Sequence, residues 1–281
     1  MKEHKNTGKI MLKILKFFSL VLGSLIAVIP VAVCVITAFK TDEEYQTTSV
    51  MTLPKSWTYF DNFVIAFKKA NMLTGFRNTF LVLIVVVTAS VLMGAMIAYV
   101  LNRFKFKGNA LIRNLFLFAT FIPGIATQVT VYQIMYSLNL VNSLPGYMIV
   151  MTGTDVISIY IFLQFFESLP KSLDESAILD GCTYFGVFFK ILFPLLRPAI
   201  VTVMILKSVA VYNEYYLSNL YLQSKDLGTI STALYTFTGP YGSQYNYICA
   251  GVLITIIPAL IIFLIFQKQI YSGLTQGAVK G

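Results

Sequence analysis

Long uncharged stretches set the pattern of this chain. Lys16 and Lys40 bracket 23 residues without Asp, Glu, Lys or Arg, and Arg77 and Arg103 bracket 25. A helix rises about 1.5 Å per residue and needs roughly 20 apolar residues to cross a hydrocarbon core. Each stretch therefore predicts one membrane span. The run from Asn114 to Thr154 holds 41 uncharged residues, too many for one helix. It contains NLVNSLPG (Asn139–Gly146), a cluster of turn-forming residues, which divides it into a third and a fourth span, the fourth carrying Asp155 near its middle. A fifth span runs over Pro198–Leu222 and includes Lys207 and Glu214. A sixth runs over Asn246–Gln267. The pattern predicts an all-α membrane protein of six transmembrane helices.

Composition agrees with the pattern. The chain is 57% hydrophobic and 12% charged, against about 25% charged in soluble domains. The positive charge lies at span ends. Lys2, Lys5, Lys9, Lys13 and Lys16 precede the first span, and Arg103, Lys105, Lys107 and Arg113 follow the second. Span parity puts both segments on one side, and the bias of lysine and arginine makes that side cytoplasmic. The loop after the fourth span and both termini then lie inside. The loop from Lys40 to Phe76 lies outside, with four lysines balanced by four acids. The net charge of +9 is thus a topology signal directed at an anionic bilayer surface, with no nucleic-acid partner implied. The first apolar run is too long for a signal-peptide core and no A-x-A-like site follows it, so it is expected to stay as a span.

Several chemistries are excluded. His4 is the single histidine, which rules out a Ser-His-Asp triad in the membrane and any zinc site needing two histidines. Cys34, Cys182 and Cys249 are scattered, without the spacing of a disulfide framework or metal site. No G-x-x-x-x-G-K-[ST] phosphate loop is present. No enzyme activity, bound cofactor or metal is expected of this chain, and any ATP-driven work would fall to another chain. Six spans without a catalytic constellation suggest a transport pathway or part of one.

One stretch between the fourth and fifth spans stands apart: PKSLDESAILDGCTYFGVFFKILFP (Pro170–Pro194). Pro170 ends the preceding segment. Ser172 and Glu175 have S-x-x-E spacing, that of a capping box, and Asp174 and Glu175 suit the positive end of a helix dipole. Gly181 stands where a left-handed helix stop is wanted. The spacing predicts a two-turn helix over Leu173–Asp180. A helix so short is marginal alone and needs a partner surface, for which Leu173, Ala177 and Ile178 offer a small apolar face. An aromatic segment follows at the membrane interface, and Pro194 and Pro198 mark the turn into span five.

The same residues carry a resemblance. Glu175, Ser176 and Ala177, three residues, Gly181, nine residues, then Ile191, Leu192, Phe193 and Pro194 are similar to the E-A-A…G…I-x-L-P motif of permease subunits of ATP-binding-cassette importers. Ser176 and Phe193 replace an alanine and a leucine of that pattern. AYVLNRFKFKG (Ala98–Gly108), FIPGIATQVTVYQIMYSLNLVNSLPG (Phe121–Gly146) and GLTQGAVKG (Gly273–Gly281) resemble the carbohydrate branch, which contains the maltose-type permeases. The resemblance covers the chain from about Asn78 onward.

The resemblance implies a type I importer permease fold in the bacterial plasma membrane, with the helix at 172–181 as a coupling helix. ATPase coupling would then rest on Glu175, Ser176, Ala177, Asp180, Gly181, Ile191 and Pro194. Glu175 serves the cap, the ATPase contact, or both. Gly181 is expected not to tolerate bulk. The implied partners are a second, related permease in a heterodimer, two cytoplasmic ATPase subunits that bind ATP and magnesium, and an extracytoplasmic sugar-binding protein. The tail from Gly273 has two readings: a flexible glycine-rich end, or, by resemblance, an ATPase contact through Gly273, Gln276 and Gly277. The chain divides into 1–71 (tail, first span and outer loop), 72–267 (permease core) and 268–281 (cytoplasmic tail).

Charged residues inside spans usually face a pathway or one another. Lys207 and Glu214 share a face of span five about 10 Å apart along the axis, too far to pair directly. Tyr212, Asn213 and Glu214 either contact a sugar, since tyrosines stack on sugar rings and bond their hydroxyls, or hold spans and subunits together. Asp155 is expected to pair with a neighbouring subunit or to line a wet cavity. An ion-coupled secondary transporter, with Asp155 and Glu214 as ion sites, is the alternative function, although the inverted repeats such folds show are not evident. A membrane enzyme would be left only aspartate or serine chemistry.

Overall fold

A computed structural model describes residues 3–153, 155–239 and 242–278, with side chains described for 11, 13–153, 155–239 and 242–267. The regular structure among the described residues is helical apart from one two-residue antiparallel pair, Thr238–Gly239 with Gly242–Ser243. Three helices are long and apolar enough to cross a membrane as they stand: Lys13–Ala38, Met72–Arg103 and Tyr245–Gln267. Three bent pairs bring the number to six if each pair is one span: Asn109–Phe121 with Gly124–Ser137, Leu144–Thr152 with Val156–Ser168, and Tyr184–Leu195 with Arg197–Tyr212.

The breaks correct the expectation of continuous spans. The third span bends by 101° at Ile122–Pro123. A residue before proline is pushed out of the helical region, and Ile122 is extended at φ −79°, ψ 118°. The fourth breaks around Gly153 (φ +29°), so Asp155 caps a helix rather than sitting in the middle of one. Its Oδ1 accepts the Ser158 amide at 3.2 Å. The fifth helix stops at Tyr212 and resumes over Tyr216–Tyr221, where a continuous run to Leu222 was expected. The expected turn at Asn139–Gly146 is present. Asn139 and Asn142 take left-handed φ of 55°, and the Ser143 hydroxyl accepts the Gly146 amide at 3.2 Å. A side chain at Gly146 would collide with the Leu140 carbonyl.

The chain forms two compact units. The first comprises residues 1–70 and 234–260. Here Thr41 and Glu44 form a reciprocal capping box on the helix Asp42–Thr47. Glu44 Oε1 also accepts the Lys55 amide at 2.8 Å. Asp42 accepts from the Asn246 amide at 2.6 Å and the Tyr247 hydroxyl at 2.8 Å, which ties the loop after the first span to the start of the last helix. Lys40, which marks the end of the first span in sequence, is buried and donates to Thr48 Oγ1 and the Ser49 carbonyl.

The second unit comprises residues 71–233 and 261–281. Its core is the packing of Met72–Arg103 against Val156–Ser168, with Val187, Phe188, Leu192, Leu196, Ala199 and Val203 closing the side. Small residues allow the close approach that membrane helices use. Gly94 lies against Phe162 and Ser158, and a Cβ there would meet both at 3.3 Å. A second cluster, around Val82, Val86, Tyr147, Val211 and Tyr221, packs the opposite end of the long helix.

Candidate functional site

The short helix between the spans runs over Ser172–Leu179. Its start differs from the expected capping box. Lys171, the residue before it, is already helical, and no side chain caps the end. The chain turns immediately after Pro170, with the Leu173 amide reaching the Pro170 carbonyl at 3.4 Å and the Asp174 amide the Lys171 carbonyl at 3.0 Å. Ser172 is therefore inside the helix and cannot act as its cap, and Glu175 is left exposed.

The other end stops as expected. Gly181 is left-handed at φ +84°. The Gly181 amide donates to the Ile178 carbonyl at 3.0 Å and the Cys182 amide to the Ala177 carbonyl at 2.9 Å. These two bonds are the Schellman pair, which requires a left-handed residue at the stop. A Cβ at Gly181 would meet no atom within 4 Å in this chain, so backbone conformation, and not space within the chain, disfavours a side chain there.

Burial sorts the helix into two faces. Asp174 and Ala177 turn inward, and Ala177 joins the chain's own core, correcting the expectation that it meets a partner. The outward face carries Leu173, Glu175, Ser176, Ile178, Leu179 and Asp180, with Leu179 88% exposed. Asp174 makes an ion pair with Arg103, Nε to Oδ2 2.8 Å, the two side chains 7% and 12% exposed. The guanidinium also donates to the Phe166 carbonyl at 3.2 Å and the Leu169 carbonyl at 3.1 Å. One arginine at the end of the long helix thus holds the end of the preceding span and the first turn of the short helix. Burial pushes the Asp174 carboxyl above the ordinary aspartate value, and Arg103 opposes that shift. Sequence reasoning missed this pair, reading Arg103 as a topology charge and Asp174 as a dipole partner. The available signal was an acid one helical turn before Ala177 and Ile178.

The segment after the stop, Val187–Leu192, is a π-helical turn between Tyr184–Gly186 and Phe193–Leu195. Wider turns of this kind often occur at functional positions. Ile191 is partly buried against the same core as Ala177, and Pro194 is exposed. The next helix leaves at 76°, the turn expected from Pro194 and Pro198. The motif residues fall on three surfaces: Ala177 and Ile191 in the core, Glu175, Ser176, Asp180 and Gly181 outward, and Pro194 at the bend.

Tyr212, Asn213 and Glu214 form the break in the fifth span. Asn213 turns its amide back to the Val209 carbonyl at 2.9 Å. Glu214 Oε1 accepts the Leu217 amide at 2.8 Å, capping the helix that restarts. Tyr212 is half-buried. Lys207 does not reach along its helix to Glu214. It pairs instead with Asp155 at 3.4 Å, each side chain 16% exposed. The partner of Asp155 is in its own chain, where a neighbouring subunit or a wet cavity was expected. Both groups also line a cleft of about 750 Å³ with Thr120, Thr127, Gln128 and Met135. Gln128 was not foreseen. The backbone of Gly273, Gln276 and Gly277 is helical, within Tyr245–Ala278. Their side chains, and residues 279–281, lie outside what is described.

Bent spans, a cleft among them that carries a charged pair and an exposed short helix on the loop between two spans together suit a multi-span transport component. Residues 90–275 match the model of the binding-protein-dependent transport system inner membrane component. The chain belongs to that family, and it is the membrane permease component of an ATP-binding-cassette importer, a bacterial multi-pass plasma-membrane protein that works with the other parts of such a system and is not itself an enzyme. It is 34% identical over 259 residues to the arabinooligosaccharides transport system permease protein AraQ of Halalkalibacterium halodurans, covering 91% of this chain and 92% of that one. It is 30% identical to the sulfoquinovosyl glycerol transport system permease protein SmoH of Agrobacterium fabrum, over 87% and 86% of the two chains. A chain from the crystal structure of a bacterial ABC transporter involved in the import of the acidic polysaccharide alginate has the same fold, with a TM-score of 0.80 at 19% identity over 92% of this chain and 96% of that one.

Proposed function

We propose that this permease carries a sugar or oligosaccharide and is driven by a separate ATPase through the helix Ser172–Leu179. The sugar reading is supported by what its relatives are named for. They include permeases for arabinooligosaccharides and for melibiose, raffinose and stachyose, the latter from Bacillus subtilis at 28% identity over 90% of this chain. The coupling reading rests on one observation: an end-locked helix, held by Arg103 on one face, presents Glu175, Ser176, Leu179 and Asp180 outward with no partner surface of its own. A rigid, tethered helix transmits force along its length, which suits a docking element.

In this reading both termini and the Ser172–Leu179 loop are cytoplasmic. Two ATPase subunits lie below and hold the ATP and magnesium, so this chain needs no cofactor. Residues 72–267 form the permease core beside a second, related permease, and an extracytoplasmic sugar-binding protein meets the outer loops. Glu175, Ser176, Asp180 and Gly181 contact the ATPase directly. Ala177, Ile191 and Pro194 hold the helix and the turn behind it. The tail after residue 268 carries Gly273, Gln276 and Gly277 toward the ATPases. Tyr212, Asn213 and Glu214 border the solute path.

Affinity purification of the tagged chain from native membranes, with mass spectrometry of what accompanies it, tests the reading. A phosphate-loop ATPase and a second six-span protein are expected. A chain that purifies alone, or only with itself, overturns the assembly.

A further inference from the structure

The cleft of about 750 Å³ in the second unit has a volume within the range of ligand sites, about 300–1,000 Å³. Its described lining contains two charged side chains, Asp155 and Lys207, and they cancel. Their separation of 3.4 Å is longer than the 2.7–2.9 Å or so of a close charge-assisted bond. The pair is loose, and both side chains remain partly open to the cleft. The ammonium has three donors, and Asp155 is its one described partner. The carboxylate spends Oδ1 on the Ser158 amide and has lone pairs to spare. Gln128 Oε1 accepts from the Tyr221 hydroxyl at 3.5 Å, and its amide NH2 donates to no described residue.

These groups line one cleft as donors and acceptors with no net charge, among mostly apolar side chains. We infer that the cleft is a passage subsite for a neutral polyhydroxylated solute, bound by hydrogen bonds from Lys207, Asp155 and Gln128. The inference rests on the sugar reading above and narrows it to uncharged saccharides. Adjacent hydroxyls can each donate to the carboxylate and accept from the ammonium, so one diol bridges the loosened pair. An anionic solute would meet the carboxylate beside the ammonium and gain nothing net. No described lining residue is aromatic, so the stacking that makes sugar sites tight is missing. Weak binding suits a pathway, because conduction needs sites that release what they bind. Placing an ion pair inside a span is costly, and this pair both joins the fourth and fifth spans and lines the cleft.

The test uses the complete importer in proteoliposomes with its binding protein at saturation. Initial uptake is measured for arabinotriose, raffinose and maltotriose. Gln128→Leu leaves the ion pair untouched. Asp155→Asn with Lys207→Met removes both charges together and strands neither. Copurification of the ATPase and the partner permease reports assembly for each variant. The expected result is a fall in uptake of at least tenfold in both variants with assembly retained, and recovery to within about twofold in Lys207→Arg. Wild-type uptake that neither variant lowers overturns the subsite alone. Wild-type vesicles that take up none of the three saccharides overturn the sugar reading and the subsite with it. Loss of assembly in both variants overturns the subsite too, because the groups then serve structure.

Discussion

Removing Asp174 tests the tether most sharply. In Asp174→Ala the Arg103 guanidinium stays in a site only 7% exposed and loses its single acidic partner. Breaking a buried pair from one side costs about 3–5 kcal/mol. Arg103 keeps the Phe166 and Leu169 carbonyls, which places the cost near the lower end, about 3 kcal/mol. Each 1.4 kcal/mol or so is tenfold, so the docked state of the helix weakens by about 100-fold. Hydrogen exchange of the Ser172–Leu179 amides, read by mass spectrometry in lipid nanodiscs, is the assay. Protection should fall by about two orders of magnitude in Asp174→Ala. It should return to within about tenfold in Arg103→Met with Asp174→Leu, because apolar residues of similar size replace a buried pair at little cost.

Burial of Asp174 also gives folding a pH dependence of definite sign, separate from the ion pair with Arg103. Burial raises the Asp174 carboxyl in the folded state, so the folded state holds that proton more tightly than the unfolded one. Protonation of Asp174 therefore favours folding, an effect that is full below the ordinary aspartate value near 3.9 and lost as pH rises through the raised folded value, above which the ionised carboxylate makes the Arg103 pair. Asp174→Asn should remove that slope. Unchanged protection in Asp174→Ala, or no recovery in the double variant, would refute the tether.

Three further outcomes follow from local geometry. Gly146→Ala should destabilise the turn between the third and fourth spans by about 1–3 kcal/mol, since its Cβ meets the Leu140 carbonyl; thermal unfolding in detergent reads this. Gly181→Val should cost about 1–2 kcal/mol for its left-handed backbone and lower uptake with the protein still inserted, while Gly181→Asn, which tolerates that conformation, should lose less. Glu44 is held below the usual glutamate range by the Thr41 and Lys55 amides, so its contribution to the loop after the first span is present above about pH 4.3 and lost as pH falls through the lowered value. Glu44→Gln should abolish that acid loosening in a limited-proteolysis series.

The apolar helices and the exit of the short helix were legible because each depends on local signals. Charge-free length marks a span, and Gly181 marks a left-handed stop whatever surrounds it. The breaks were partly written in the chain: Pro123 explains one bend, while the stop at Tyr212 has no glycine or proline to announce it. The start of the short helix was misread because S-x-x-E spacing can also lie within a helix, and the turn after Pro170 decides which applies. Pairings between distant residues were not legible. Arg103 meets Asp174 and Lys207 meets Asp155 only because the long helix, the fourth span and the fifth pack together, and nothing in sequence spacing selects those partners.

The central claim is that ATP-driven motion enters this permease through the outward face of the short helix. Leu179 is the most exposed large apolar residue of that face and lies away from the tether. A photocrosslinking amino acid at position 179, in the complete importer in native membranes, tests it directly. The account predicts a single crosslinked adduct with a phosphate-loop ATPase, diminished in Asp174→Ala. Crosslinks to lipid alone, or to another membrane chain in place of the ATPase, would contradict it.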